Sequence, residues 1–421
     1  MDSRAELETD QLAALREVLQ RCANAKGGYY AERILELFLE PAKLDSLDDF
    51  QRRFPLTSKT DLVGDREANS PYGSFLTEPV EAYTRFHRTS GTSGEPLVWL
   101  DTPHSWGSML DGWEEILRRA GVVSGDSVFC AFSFGPFIGF WLAFEAASRM
   151  GCLAIPAGGL SSSARASLLK SSKANVLCCT PTYAMRLGEV VKETGTAHAV
   201  EKLIVAGEPG GSIPETRERL SSLWGGAAIF DHHGMTEVGP VSFESLDHPG
   251  FLFVLEKHFL AEVVCPEKGV KVEEGEIGEL ILTTLKRSAC PLLRYRTGDL
   301  VRKRHVELDG VHVLALEGGI LSRADDMVVV RGVNIYPSAV ESVLRRFPEI
   351  DEYEVEISEQ ARMAEMCIRV EWNGPDEEKG VEQLGESLRD AFALRIPIEL
   401  AEAGSLERYE FKSKRWRWKT P

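Results

Sequence analysis

The chain lacks a basic start followed by an apolar run, any hydrophobic stretch long enough to span a bilayer, any C-x-x-C pair, and any G-x-x-x-x-G-K-[ST] phosphate loop. Each absence excludes something. The start, MDSRAELETDQLAALREVLQRC, is acidic and helical in period, so no signal peptide is expected. The longest apolar candidate, FWLAFEAASRMGCLAIPAGG, is broken by Arg149 and by glycines, so no membrane partner is expected. The 8 cysteines are scattered and their one close pair, Cys178 and Cys179, is adjacent, which indicates neither a disulfide scaffold nor a zinc framework and fits a reducing cytoplasm. Positive charge is in short supply: 48 Lys and Arg stand against 65 Asp and Glu, and the net charge of −17 argues against a nucleic-acid partner. Such a chain can still bind ATP where local cations, backbone N–H groups and Mg2+ offset the phosphates.

What is present is enough for more than one core, because 421 residues exceed an ordinary single domain. Up to about Phe54 the pattern is amphipathic helix, as in TDQLAALREVLQRC and AERILELFLEPAKL. Strand-like and helical runs then alternate, DSVFCAFSF with FWLAFEAASRM and KLIVAGE with IPETRERLSSLW, which predicts βαβ units and parallel sheet. From LAEVVCPEKG to HVLALEGG, short strands between Gly-rich turns predict an antiparallel sheet or barrel beside that core. After Asp326 a β-α-β-β-α order begins again. The expected fold is therefore α/β, with a large N-terminal domain over 1–324 and a small, mobile α+β C-terminal domain over 325–421, hinged near SRADD.

The stretch RFHRTSGTSGEPLVW, 85–99, crowds glycines and hydroxyls between two strand-like runs. Glycine lets backbone N–H groups approach a ligand, and Ser and Thr add donors that close around phosphate oxygens. Taken alone, the same residues also make a plain hairpin turn. Four further stretches bear on the choice: HHGMTEVGP at 232–240, RYRTGDL at 294–300, SRADDMVVVRGVNIYPSAVE at 322–341 and EFKSKR at 410–415. In this order they resemble the signature motifs of the adenylate-forming superfamily of acyl-CoA synthetases and adenylation domains. With FSFGPFIGF at 132–140 and GEP at 207–209, the chain is most similar to the phenylacetate-CoA ligase family over essentially its whole length.

That resemblance implies a set of roles. Thr89, Ser90, Gly91, Thr92, Ser93 and Gly94 would wrap the β- and γ-phosphates of ATP as a clamp that later releases pyrophosphate. Thr236 would face the α-phosphate, and Glu237 would hold Mg2+, a hard cation that prefers oxygen. His233 occupies a position where the family usually stacks an aromatic such as Tyr on adenine, and its neighbours His232, Gly234 and Met235 belong to the same nucleotide-binding motif. Asp231 and the turn Gly207, Glu208, Pro209 map to segments that line the adenine. Asp299 would accept hydrogen bonds from both ribose hydroxyls. Arg323 matches a nucleotide-contacting arginine, Asp325 a hinge residue, and Ser322 replaces the usual Gly before them.

Lys412 matches the catalytic lysine that neutralises charge building between the attacking carboxylate and the departing pyrophosphate, with Lys414 as its rival. Gly332 matches the glycine lining a pantetheine tunnel, although a strand turn explains it equally simply. Phe134, Gly135, Pro136 and Phe137 map to the acyl pocket, where aromatic walls suit a flat aryl acid, while Phe129, Phe132 and Trp141 read as core. The cysteines that bind structural zinc in some relatives are missing from LALEGGILSRADD and GPVSFESLDHPG, so no zinc is expected. The implied function is ATP-dependent activation of an aryl or other apolar carboxylic acid to acyl-AMP with release of pyrophosphate, followed by transfer to coenzyme A. Transfer to the pantetheine of an acyl carrier protein or to an amine, AMP transfer, and a non-catalytic nucleotide-binding role are the alternatives, and a homodimer is compatible with all of them.

Overall fold

Runs of β-branched and aromatic residues build three sheets in this computed structural model, which describes residues 3–89, 96–324, 326–331, 333–360, 363–409 and 413–419. The first is a hairpin of β1 (Arg85–Arg88) and β2 (Val98–Asp101). The second has 11 strands. Its parallel half contains β3 (Ser127–Cys130), β4 (Leu153–Pro156), β5 (Val176–Cys179), β6 (Lys202–Ala206) and β7 (Ala228–Met235). Its antiparallel half contains β8 (Gly239–Ser245), β9 (His248–Val254), β10 (Phe259–Val264), β11 (Ile277–Thr284), β12 (Tyr295–Leu308) and β13 (Val311–Arg323). The halves meet at β7, which pairs β6 in parallel and β8 antiparallel. The antiparallel strands expected beside the parallel core thus continue it edge to edge.

Two Thr-Pro dipeptides show how the chain turns from strand to helix. Thr102 and Thr180 each follow a strand directly, cap the next helix through their side-chain oxygens, and precede a proline in its first turn. Proline lacks the N–H that would be unpaired there, so both helices, Pro103–Arg119 and Pro181–Glu193, start where the sequence says they must.

The third sheet has its own packed interior. It is formed by β14 (Val328–Val330), β15 (Val333–Ile335), β16 (Ile350–Gln360), β17 (Met363–Trp372), β18 (Ile398–Ala401) and β19 (Trp416–Trp418). Helices Pro337–Arg345 and Glu377–Phe392 pack on it through Val340, Leu344, Leu384 and Leu388, all fully buried with Val355 and Ile368. Among the described residues no helix is long and apolar enough to cross a membrane.

Candidate active site

Because β3, β5, β6 and β7 run parallel, their C-terminal ends open on one edge of the large sheet, where open α/β sheets bind ligands. Several of the described sequence candidates lie there. Beyond β3 lies the loop of Phe134, Gly135, Pro136 and Phe137. The Phe134 ring meets Trp141 edge-on at 4.9 Å and Phe144 at 5.6 Å, and the Trp141 indole N–H donates to the Gly135 carbonyl at 3.0 Å. Trp141 therefore packs on this loop as well as against the core, and Phe129 and Phe132 are buried as expected of core. The Arg88 N–H donates to the Pro136 carbonyl at 2.8 Å, tying hairpin β1–β2 to the aromatic loop. At the hairpin neck the Thr89 N–H donates to the Leu97 carbonyl at 2.9 Å and the Thr89 hydroxyl accepts from the Leu97 N–H at 3.0 Å. Ser90, Gly91, Thr92, Ser93 and Gly94 lie outside the described residues.

Strand β7 sends its side chains to opposite faces, and this separates neighbours. His232 points into the core, where Nδ1 sits 2.6 Å from the Ser242 carbonyl, Trp113 packs at 4.4 Å, and burial pushes its pKa down to about 3. It is a neutral core histidine. His233 faces the crevice, with Nε2 3.0 Å from the Asp299 carboxylate, whose other oxygen is 3.7 Å from the Arg323 guanidinium. Asp299 and Arg323 are register partners on β12 and β13, so the sheet itself sets this pair. A register shift follows His233, beside Gly234, and the chain then turns through Thr236 and Glu237 into β8.

Burial raises the Glu237 pKa, Lys59 and Arg323 pull it down, and Asp299 adds to the rise. A buried carboxylate under this strain fits a hard cation, and Mg2+ commonly takes one or two carboxylates with phosphate oxygens completing its shell. Among the described residues no group of three or more His, Cys, Asp or Glu could hold a metal unaided. The turn is held from behind by Arg287, which donates to the Thr236 and Glu237 carbonyls at 2.7 and 2.9 Å. Arg287 is itself paired with Asp101 at 2.6 and 2.8 Å, both side chains buried. Neither residue stood out in the sequence, although Asp101 ends the strand that leaves the Gly/Ser loop.

Asp231 is also buried. It accepts from the Ser212 hydroxyl at 2.5 Å and the His232 N–H at 3.0 Å, while burial lifts its pKa to about 7. The folded chain therefore keeps a proton on Asp231 that the unfolded chain loses near the usual value of about 4. Stability should fall as pH rises from about 4 to about 7, and Asp231→Asn should flatten that slope in thermal melts. Parallel slopes for the two proteins would show that this carboxyl does not titrate in the window.

The end of the chain reaches the same edge. Glu208, in the GEP turn after β6, accepts the Thr182 N–H at 2.9 Å and the Ser413 N–H at 2.7 Å. Its carboxylate is thus directed at two backbone donors. Arg415 forms a fork onto Glu352 at 2.6 and 3.1 Å and reaches the Thr182 hydroxyl at 3.3 Å. Helix Pro214–Leu223 adds Arg219 to the Ile350 carbonyl at 2.9 Å, and Glu215 to Ser342 and Arg346 at 2.9 and 3.1 Å. Lys412, Asp325 and Gly332 lie outside the described residues.

Residues 332–417 match the family model of the AMP-binding enzyme C-terminal domain. A phenylacetate-coenzyme A ligase of Thermus thermophilus is 31% identical over 86% of this chain and 81% of its own, and that of Escherichia coli K12 is 30% identical over 87% and 86%. The chain belongs to the phenylacetate-CoA ligase family. The Pseudomonas putida phenylacetate-coenzyme A ligase extends the match to 97% of this chain and 94% of its own at 29% identity. Among solved structures, 2-hydroxyisobutyryl-CoA ligase in the postadenylation state in complex with 2-HIB-AMP superposes with a TM-score of 0.93 at 27% identity, covering 99% of this chain and 90% of that one. The same ligase with CoA in the thioesterification state gives 0.73 at the same 99% coverage of this chain. At equal coverage the chain thus superposes more closely on the postadenylation structure than on the thioesterification one.

Proposed function

We propose that the protein joins an aryl carboxylic acid to coenzyme A in two steps: formation of acyl-AMP from acid and ATP with release of pyrophosphate, then transfer of the acyl group to the CoA thiol. The observation that carries the reading is the convergence, on one sheet edge, of the His233–Asp299–Arg323 group, the Glu237 turn and the aromatic loop around Phe134. In the first step a carboxylate oxygen bonds to the α-phosphorus and the bond to pyrophosphate breaks. Asp299 accepts from the ribose hydroxyls while His233 holds its carboxylate and Arg323 faces the nucleotide. Thr236 faces the α-phosphate, and Glu237 would hold Mg2+, which when bound neutralises phosphate charge. Lys412 is assigned to the charge between attacking and leaving oxygens. In the second step the CoA thiol loses its proton to solvent, its sulfur bonds to the acyl carbon, and the bond from that carbon to the AMP oxygen breaks.

Residues 1–324 and 325–421 are taken as lobes that rotate about Asp325 between the steps, bringing Gly332 to the pantetheine arm in the second. The edge-on rings of Phe134, Trp141 and Phe144 and the phenylacetate named for the relatives support an aryl substrate, and those relatives favour CoA over a carrier protein or an amine. We place the enzyme in the cytoplasm and assign it no zinc.

A panel of aryl and alkyl acids, assayed for pyrophosphate release with and without CoA, tests the reading. The aryl acids should give the highest kcat/KM. Glu237→Gln keeps the shape of the side chain and removes its charge, so release should fall by roughly a hundredfold or more with the fold intact. Unchanged release in that variant would take Glu237 out of the site.

A further inference from the structure

The resemblance puts the Gly207–Pro209 turn at the adenine, yet both Glu208 carboxylate oxygens are taken by backbone donors, Thr182 and Ser413, the second 205 residues away in sequence. One accepts the Thr182 N–H, in the first turn of helix Pro181–Glu193, where a negative charge is favoured and where Pro181 offers no donor. The other accepts the Ser413 N–H, the amide that directly follows Lys412. Two residues further on, Arg415 donates to the Thr182 hydroxyl while its fork to Glu352 fixes it to the third sheet. The same helix end thus holds the tail on either side of Lys414. Gly207 makes the turn possible: its φ of +96° lies where a side chain is strained, and it lets the chain leave β6 with Glu208 facing the tail.

We propose that Glu208 is a positioning residue for the first half-reaction, a latch that holds Ser413, the residue after Lys412 in sequence, at the crevice edge and lets go when the small lobe rotates. This rests on the two-step reading above. With the lobes taken as above, the donors Thr182 and Ser413 lie on opposite ones, so the rotation that the two-step reading calls for would separate them. A charge-assisted hydrogen bond is strong enough to bias the closed arrangement. Glu208 is only half-buried, so its freed oxygen returns to water rather than standing unpaired in the interior. A latch that must open once per turnover needs that exposure.

The test uses the full chain with Glu208→Gln. The turnover number for pyrophosphate release should fall about tenfold to a hundredfold, the range for losing one charged hydrogen bond, with KM for ATP and for the acid little changed. Thioester formation from supplied acyl-AMP and CoA should be spared, and amide exchange at Ser413 should accelerate in the resting protein. Ser413→Pro removes the donor instead, and if both act through one bond the double variant is no slower than the slower single one. Losses that multiply overturn the proposal. So does a raised KM for ATP with impaired use of acyl-AMP, which assigns Glu208 to the adenine, and so does a lowered Tm with equal loss of both steps, which makes it only a helix cap. Unchanged exchange at Ser413 overturns it without any assay of turnover. A wild-type chain that releases no pyrophosphate with any acid defeats the two-step reading itself, a result separate from all of these.

Discussion

Lys412→Ala should abolish acyl-AMP formation from acid and ATP while leaving the conversion of supplied acyl-AMP and CoA to thioester largely intact. The first step brings an anionic carboxylate against an anionic phosphate, and a cation delivered on the small lobe offsets the charge between them. Removing one such donor costs about 10²- to 10³-fold in rate. In the second step negative charge develops on the acyl carbonyl oxygen and the departing AMP, not between a carboxylate and pyrophosphate, and the lobe is used in another orientation. Ser413 and Arg415, which flank the exposed Lys414, are docked against Glu208 and Thr182, so this part of the tail already lies at the crevice edge. Lys414→Ala is the control and should change either step by little. A larger defect in Lys414→Ala, or equal loss of both steps in Lys412→Ala with the fold intact, would assign the charge to another group or remove the alternation of lobes.

Arg287→Met should be the most damaging single change to stability at the site. Asp101 and Arg287 are 0% and 2% exposed, so the variant leaves a carboxylate buried without its partner, a loss of about 3 to 5 kcal/mol where a surface pair would be worth at most about 1. Urea unfolding should show an earlier midpoint. The variant also strips the donors from the Thr236 and Glu237 carbonyls, and adenylation should fall in whatever protein stays folded. Combining Arg287→Met with Asp101→Leu removes both charges and should recover most of the stability without restoring pyrophosphate release. Full recovery of activity in the double variant would mean that the pair serves the fold alone and does not place the Glu237 turn.

Much of this was legible in the sequence, for reasons that differ by residue. The alternation of VFC, VLCC and KLIVA with amphipathic segments specified the parallel strands. Strand period separates His232 from His233, but which of them faces the core depends on Trp113 and Ser242, on other elements. Local pattern could not show that the antiparallel strands extend the parallel sheet, because that depends on β7 accepting a neighbour of either sense on its two edges. The partners that hold the site were least visible. Asp101 and Arg287 are 186 residues apart and Glu208 and Ser413 are 205 apart, and a pairing of that reach leaves no periodic trace. Trp141 read as core from its apolar run and packs against the core, but its bond to the Gly135 carbonyl and its edge-on contact with Phe134, which also join it to the loop, left no local trace.

The central claim is the two-step chemistry, and product stoichiometry tests it most directly. Purified protein is incubated with ATP, MgCl2 and phenylacetate, first alone and then with CoA, and the nucleotides and acyl products are quantified by mass spectrometry. Two-step chemistry gives enzyme-bound acyl-AMP and pyrophosphate without CoA, and one AMP, one pyrophosphate and one acyl-CoA per turnover once CoA is added. ADP and inorganic phosphate as products, or acyl-CoA appearing with no acyl-AMP in the reaction lacking CoA, would contradict it.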